Sequence, residues 1–118
     1  MLGINGHAAQ QAMQMIVVMT TFTLPKPITL EEARGIFLGA APKYRGVPGL
    51  FSKHYVLSQD GVTAGGVYVW NSRPEAEAMY TEVWRSFVRQ KYGTEPSVTY
   101  FECPVVVDNV AQQVLANG

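Results

Sequence analysis

The sequence predicts an α+β sandwich of the ferredoxin-like βαββαβ kind, an antiparallel four-stranded sheet with two helices on one face. Three observations predict it. Apolar segments follow one another in the order strand, helix, strand, strand, helix, strand. The middle two strands meet at Asp60-Gly61, a dipeptide suited to a tight hairpin. Each helical segment opens on a capping signature and lies between two strands, so the chain reads as two crossover units linked by one hairpin.

The first strand is the β-branched run from Met15 to Phe22, apolar on both parities and so covered on both faces. Pro25 and Pro27 end it, since proline cannot donate to a ladder. Thr29 with Glu32 forms a capping box for the first helix, whose buried side is read from Leu30, Ala33, Ile36, Phe37 and Ala40. Pro42, Gly46, Pro48 and Gly49 break the next stretch into a loop. Residues 50–58 and 63–71 form the hairpin strands. A two-residue type I′ turn would set Tyr55 opposite Gly66, Lys53 opposite Tyr68 and Phe51 opposite Trp70.

Gly65-Gly66 inside the second of these strands marks a bulge, bare backbone under Tyr55, or the close approach of a ligand. Ser72 and Glu75 form a second capping box, with Pro74 in the first turn of a helix striped by Ala76, Met79, Tyr80, Val83, Phe87 and Val88. Lys91-Tyr92-Gly93 closes it. Residues 97–103 make a fourth strand, Val105 to Val107 extend it or leave as an arm, and Val110, Val114 and Leu115 suggest a weak helix. Residues 1–12 read as a leader with Met13 as a candidate start, residues 13–109 as the domain, and 110–118 as a tail.

A chain of 118 residues suits one domain. Its 47% apolar content argues against disorder, and its 15% charged content leaves much uncharged surface to hide, which favours an oligomer. Nine basic and nine acidic residues are scattered singly, so nucleic acid is not an expected partner. The run Met15 to Met19 is too short to span a membrane. Cys103 is the only cysteine, which rules out an intrachain disulfide and a multi-cysteine metal site and fits a reducing, cytoplasmic location. No metal-ligand spacing, phosphate loop or serine-nucleophile motif is present.

Hairpin parity gathers the candidate site. One face carries Phe51, Lys53, Tyr55, Tyr68 and Trp70; the other carries Ser52, His54, Val56, Val67 and Val69. The first face, under the helices, suggests an aromatic-lined pocket for a small hydrophobic or aromatic molecule, with Tyr80 above it. The second face, valine-rich and bare, predicts a homodimer formed through the sheet. His54 is a candidate general base by residue type, yet parity sends it to the dimer side or its rim, where an interface histidine is the plainer reading. Lys53 is either a snorkelling side chain or an oxyanion partner, and the tyrosines are either core residues or ligand contacts.

The segments PGLFSKHYVLSQDG, AGGVYVWNS and YGTEPSVTYFECPVVVDN resemble the YdhR-type monooxygenases of the dimeric α/β-barrel superfamily. The similarity runs from about Met15 to Asn109; Gly49, Leu50, Lys53 and GGVYVW are its most specific pieces. It implies a homodimer with sheets face to face and a pocket in each protomer between sheet and helices. Related barrels include quinone-forming monooxygenases that use neither metal nor flavin, haem-degrading monooxygenases and non-oxidative isomerases, so fold alone does not fix the reaction. In the cofactor-free enzymes a tryptophan with polar neighbours at the sheet–helix junction is implicated, and Trp70, Asn71 and Ser72 match that place. Trp84 and Arg85 would add a wall and an anion partner. The second helix lacks the histidine that haem-degrading relatives need.

The resulting expectation is a cofactor-independent monooxygenase acting on a small aromatic or quinol-like substrate. Trp70, His54 and Tyr68 are its candidate catalytic residues, and Lys53, Tyr55, Asn71, Tyr80, Trp84 and Arg85 its candidate substrate contacts. The alternatives are a non-catalytic module that binds a hydrophobic molecule or assembles a dimer, and an isomerase or lyase using the same pocket.

Overall fold

The computed structural model describes residues 14–116; the leader proposed for residues 1–12 lies outside them. Strand β1 (Ile16–Thr23) leads to helix α1 (Leu30–Ala40), a 3-10 turn (Ala41–Tyr44), and strands β2 (Leu50–Leu57) and β3 (Thr63–Trp70). Helices α2 (Arg73–Glu77) and α3 (Glu82–Tyr92) then precede β4 (Ser97–Glu102) and a terminal hairpin, β5 (Val105–Asp108) with β6 (Gln113–Ala116). The main sheet has the order β2-β3-β1-β4 with every neighbour antiparallel, which is the ferredoxin-like arrangement the sequence predicts.

The core lies between this sheet and the helices. Alternate residues of β1, Ile16, Val18, Thr20 and Phe22, turn inward and are buried. Against them pack Ala64, Tyr68 and Trp70 from β3, and Tyr80, Trp84 and Val88 from the helical side. Among the described residues Thr20 is the one buried polar residue, and its Oγ1 accepts the Gly66 N–H at 3.1 Å. Burying these apolar side chains favours the fold by roughly 25 cal/mol per Å² of apolar surface.

The capping box on α1 forms as expected. Glu32 N donates to Thr29 Oγ1 at 3.1 Å, and Thr29 N donates to Glu32 Oε1 at 2.8 Å. Of the predicted stripe, Ala33 and Ala40 are buried and Phe37 half-buried, while Leu30 and Ile36 face outward. The second helix is two helices, because Thr81 is itself an N-cap whose Oγ1 accepts Trp84 N. Restarting the helix at Glu82 rotates the stripe: Trp84 and Val88 turn inward, and Val83 is 81% exposed. At Ser72 only half of the predicted box forms. The hydroxyl accepts the Glu75 N–H, but the Glu75 carboxylate accepts a hydrogen bond from the Ser72 hydroxyl at 2.9 Å rather than from a backbone N–H.

The hairpin keeps the predicted register, with Tyr55 opposite Gly66 and Lys53 opposite Tyr68, although the turn is not type I′. Gly61 N bonds Ser58 O, Ser58 N bonds Thr63 O, and only Gly61 has positive φ. The loop gains one residue on each side, so the pairing is preserved. Phe51 departs from the expectation: a bulge between Leu50 and Ser52 brings Leu50 opposite Trp70 and leaves Phe51 71% exposed. No bulge occurs at Gly65-Gly66, where both ladders run unbroken. A Cβ on Gly65 would strike the Thr20 carbonyl of β1, and one on Gly66 would sit 3.0 Å from the Tyr68 ring and 3.3 Å from Lys53 Cε.

The tail corrects a further expectation. Val114 and Leu115 belong to strand β6, not to a helix, and pair with Val107 and Val106. Asp108 Oδ1 accepts the N–H groups of Val110 and Ala111, both at 3.0 Å, and so fixes the hairpin turn. This arm displays Val105, Val107, Val110 and Val114 at its surface. No helix among the described residues is long and apolar enough to cross a membrane.

Candidate functional site

The site is built around Lys53 on edge strand β2. Pairing with Tyr68 directs its side chain inward, over the backbone that Gly66 leaves bare. There its Nζ meets three rings. It lies 3.4 Å from the centre of Tyr44, 4.0 Å from Tyr55 and 4.7 Å from Tyr68. Ring faces attract a cation by up to ~2 kcal/mol when water is excluded. They do not replace a carboxylate, and Lys53 forms no ion pair among the described residues. Burial first, then the charges of Lys43 and Lys91, bring its pKa down to about 7.

Each ring of this cage is held from outside. Trp84 Nε1 donates to Tyr44 Oη at 3.3 Å. Tyr55 stacks on Phe37 of α1, with ring centres 4.8 Å apart. Tyr68 meets Tyr44 edge to face at 6.2 Å and Tyr80 at 5.2 Å. Burial raises the phenol pKa of all three cage tyrosines, so they are neutral hydrogen-bond donors. The Tyr55 hydroxyl is buried without a hydrogen-bond partner. Leaving such a group unsatisfied costs about 1–3 kcal/mol.

Lys53 and the cage rings border an inner cavity of ≈30 Å³, closed on the helix side by Phe37, Trp84 and Phe87. That is room for a water molecule or two, not for an aromatic ring. Immediately outside lies a groove of ≈280 Å³ between α1 and β2, lined by Leu30, Leu38 and Leu57 among others. Phe37 and Tyr55 border both hollows, so their stacked pair is the wall between them.

Four of the nine residues expected from the sequence come together here: Lys53, Tyr55, Tyr68 and Trp84. Trp70 does not line the cavity. It is fully buried, and its Nε1 is satisfied by Tyr80 Oη at 3.0 Å, so this pair forms a core unit behind Tyr68. Asn71 continues past the sheet, its N–H bonded to Gly49 O. Arg85 is held by Glu95 and by the Pro96 carbonyl. His54 is exposed on the opposite face, paired across from Val67, as strand parity requires.

The sequence reading missed Tyr44, Thr20 and Phe37 as site residues. Tyr44 sits in a 3-10 turn within a proline- and glycine-rich stretch, where no periodicity marks it. Its signal is local, an aromatic between the basic residues Lys43 and Arg45. Among the described residues, no group of three His, Cys, Asp or Glu side chains gathers in a metal-binding arrangement.

No family model matches the chain, and no curated protein matches it. Solved structures do. The chain is similar to the ActVA-Orf6 monooxygenase of Streptomyces coelicolor, crystallised with nanaomycin D, at 18% identity and a TM-score of 0.60, over 80% of this chain and 92% of that one. It is similar to SnoaB, a cofactor-independent oxygenase from Streptomyces nogalater, at 12% identity and a TM-score of 0.59, over 81% and 99%. A conserved protein from Methanosarcina mazei matches at 10% identity and a TM-score of 0.59, over 78% and 95%. At these identities the likeness is one of fold: the chain shares the ferredoxin-like α+β fold of these proteins.

Proposed function

We propose that the protein is a cofactor-independent oxygenase of phenolic or quinol-like aromatic molecules, with Lys53 as its working group. The observation that carries this reading is an unpaired lysine in an aromatic cage, its pKa near neutrality, facing a cavity. A lysine so tuned is half neutral at physiological pH and so able to accept a proton. The fold it shares with SnoaB and ActVA-Orf6 adds support by analogy.

The chemistry balances without an added redox group. The neutral Lys53 amine takes the phenol proton, and the ammonium formed holds the phenolate. The phenolate gives one electron to dioxygen, and the superoxide so formed bonds to a ring carbon. The peroxide takes back the proton from Lys53. Loss of water, carrying the hydrogen of that ring carbon, leaves a quinone. Phenol and dioxygen are consumed, and quinone and water are formed. Tyr55, whose ring borders the cavity and whose buried hydroxyl has no partner, is the candidate donor to share the oxyanion. His54 has no part in this scheme, and Trp70 serves it only by holding Tyr80 and Tyr68.

A ring enters by parting Phe37 from Tyr55, which joins the inner cavity to the groove outside. We propose a homodimer through the face bearing Met19, Val56 and Phe101, large apolar side chains exposed on one side of the sheet. The small closed cavity favours a second reading, a non-catalytic dimer-assembly or hydrophobic-binding module. Oxygen-electrode measurements with dihydroxyanthracene-like quinols, metals removed, separate the two. Uptake that Lys53→Met abolishes supports the oxygenase; no uptake above the uncatalysed rate with any quinol supports the module.

A further inference from the structure

The groove of ≈280 Å³ between α1 and β2 lies on the outer side of the Phe37–Tyr55 wall. Helical spacing sets two rows of α1 residues along it. The inner row, Ala33, Phe37 and Ala41, is buried or half-buried. The outer row, Leu30, Arg34 and Leu38, is exposed, and the two leucines are large apolar side chains held at the rim of an apolar hollow. Across from them, Leu57 of β2 completes the trough. Its volume stands at the lower end for small-ligand sites, which run from about 300 Å³ upward.

Arg34 is the one charged residue among the described residues that line this groove. It forms no ion pair: those among the described residues belong to Arg73, Arg85 and Arg89. Glu31, three residues earlier, does not pair with it, and Glu32 is committed to the Thr29 cap. The two ends of the trough differ. At the Leu30 end it adjoins a hollow that shares Leu30 and Leu57 and is lined by Thr29, Ser58 and Asp60, so that end is polar and carries a negative charge. At the other end Leu38 and Ala41 are apolar.

We propose that the groove binds a medium-chain aliphatic carboxylate, its acid group on the Arg34 guanidinium and its chain running towards Ala41. A guanidinium takes a carboxylate through two parallel N–H donors, and Asp60 repels the acid from the opposite end. The chain is aliphatic because Phe37 and Tyr55 stack on each other, which closes their facing surfaces to a third ring and leaves leucine and alanine as the main walls. From Arg34 to Ala41 the trough runs about 10 Å at the helical rise of ~1.5 Å per residue, the length of an extended chain of about eight carbons. The groove is on the helix side of the sheet, so a dimer formed through the opposite face leaves it open. The inference concerns the groove with its wall closed and does not rest on oxygen chemistry at Lys53.

The test is calorimetric titration of the full chain with octanoate, its neutral counterpart octanamide, and butanoate. Wild type is compared with Arg34→Gln and Leu38→Gln, both at exposed positions that spare the core. Octanoate is expected to bind about tenfold more tightly than octanamide, and at least about tenfold more tightly than butanoate, which lacks four methylenes. Arg34→Gln should remove the first difference while changing octanamide less than about twofold; Leu38→Gln should weaken both eight-carbon probes. Octanoate should shift the NMR methyl signals of Leu30, Leu38 and Leu57. Equal binding of octanoate and octanamide overturns the proposal, as does unchanged octanoate affinity in Arg34→Gln, methyl shifts confined to other residues, or no binding at all. A groove that seats a second copy would show itself by a change in sedimentation of ligand-free Leu38→Gln with no octanoate site, which also overturns it. Octanoate binding without oxygen uptake on quinols keeps this proposal and removes only the oxygenase; uptake without octanoate binding does the reverse.

Discussion

Lys53 Nζ sits 3.4 Å above the ring of Tyr44, and the two residues reach each other from an edge strand and a 3-10 turn. The contact substitutes a ring face for the water that burial removes. It keeps a lysine that has no counter-ion among the described residues, and it leaves that lysine readily deprotonated.

Such a lysine costs stability whenever it must carry charge. Its folded pKa lies below that of the unfolded chain, so between about pH 7 and pH 10 the unfolded state binds more protons. Stability from this group therefore rises as pH increases through that window, and the penalty is complete below about pH 7. Lys53→Met should stabilise the protein at pH 6 by about 1–2 kcal/mol, discounted for residual solvent. The gain should shrink towards pH 10. Urea denaturation across pH checks this; an equal effect at both ends counts against it.

Trp70 and Tyr80 form a hydrogen-bonded pair in the core. Trp70→Phe leaves the Tyr80 hydroxyl without its donor and opens a void in a fully buried position. It should cost about 2–3 kcal/mol in denaturation, with ligand affinity changed less than about twofold. Tyr55→Phe should do the reverse: stability unchanged or improved, turnover reduced.

Gly66 gives room to two cage members at once. Gly66→Ala would press the Tyr68 ring and the Lys53 stem outward. A destabilisation of about 1–2 kcal/mol is expected, together with a rise in Lys53 pKa as its head moves towards water. A substitution that leaves both quantities unchanged would mean the cage has slack that its packing does not suggest.

The bare face of the sheet gives the assembly prediction. Phe101 pairs across from Val17, beside Met19 and Val67. Phe101→Glu should convert a dimer into a folded monomer in analytical ultracentrifugation, with near-native circular dichroism. A wild-type monomer at tens of micromolar would refute the face-to-face arrangement.

The sequence made some of this legible for clear reasons. Strand order followed from two capped segments set between β-rich runs, and the Thr29–Glu32 box formed atom for atom. Register survived a wrong turn type because the loop lengthened by one residue on each side of Asp60-Gly61. Phe51 was misread because the bulge between Leu50 and Ser52 leaves no mark in the order of residues. Val83 was misread because a threonine within an amphipathic stretch restarted the helix and rotated its stripe. The β5–β6 arm was hidden because valines spaced for one helical face also suit an exposed hairpin. At the site, parity correctly brought Lys53, Tyr55 and Tyr68 together. Tyr44 arrives from a turn, through a tertiary contact that no periodicity encodes.

The most direct test follows the Lys53 amine itself by NMR, through its Cε and Nζ resonances, as the ligand-free protein is titrated from pH 5 to pH 11. A midpoint near 7 is the result expected of a caged, unpaired lysine, with the midpoint moving upward in Tyr55→Ser as water reaches the ammonium. A midpoint near the ordinary lysine value of 10.5 would contradict the account at its centre, because such a lysine is neither desolvated nor able to act as a base.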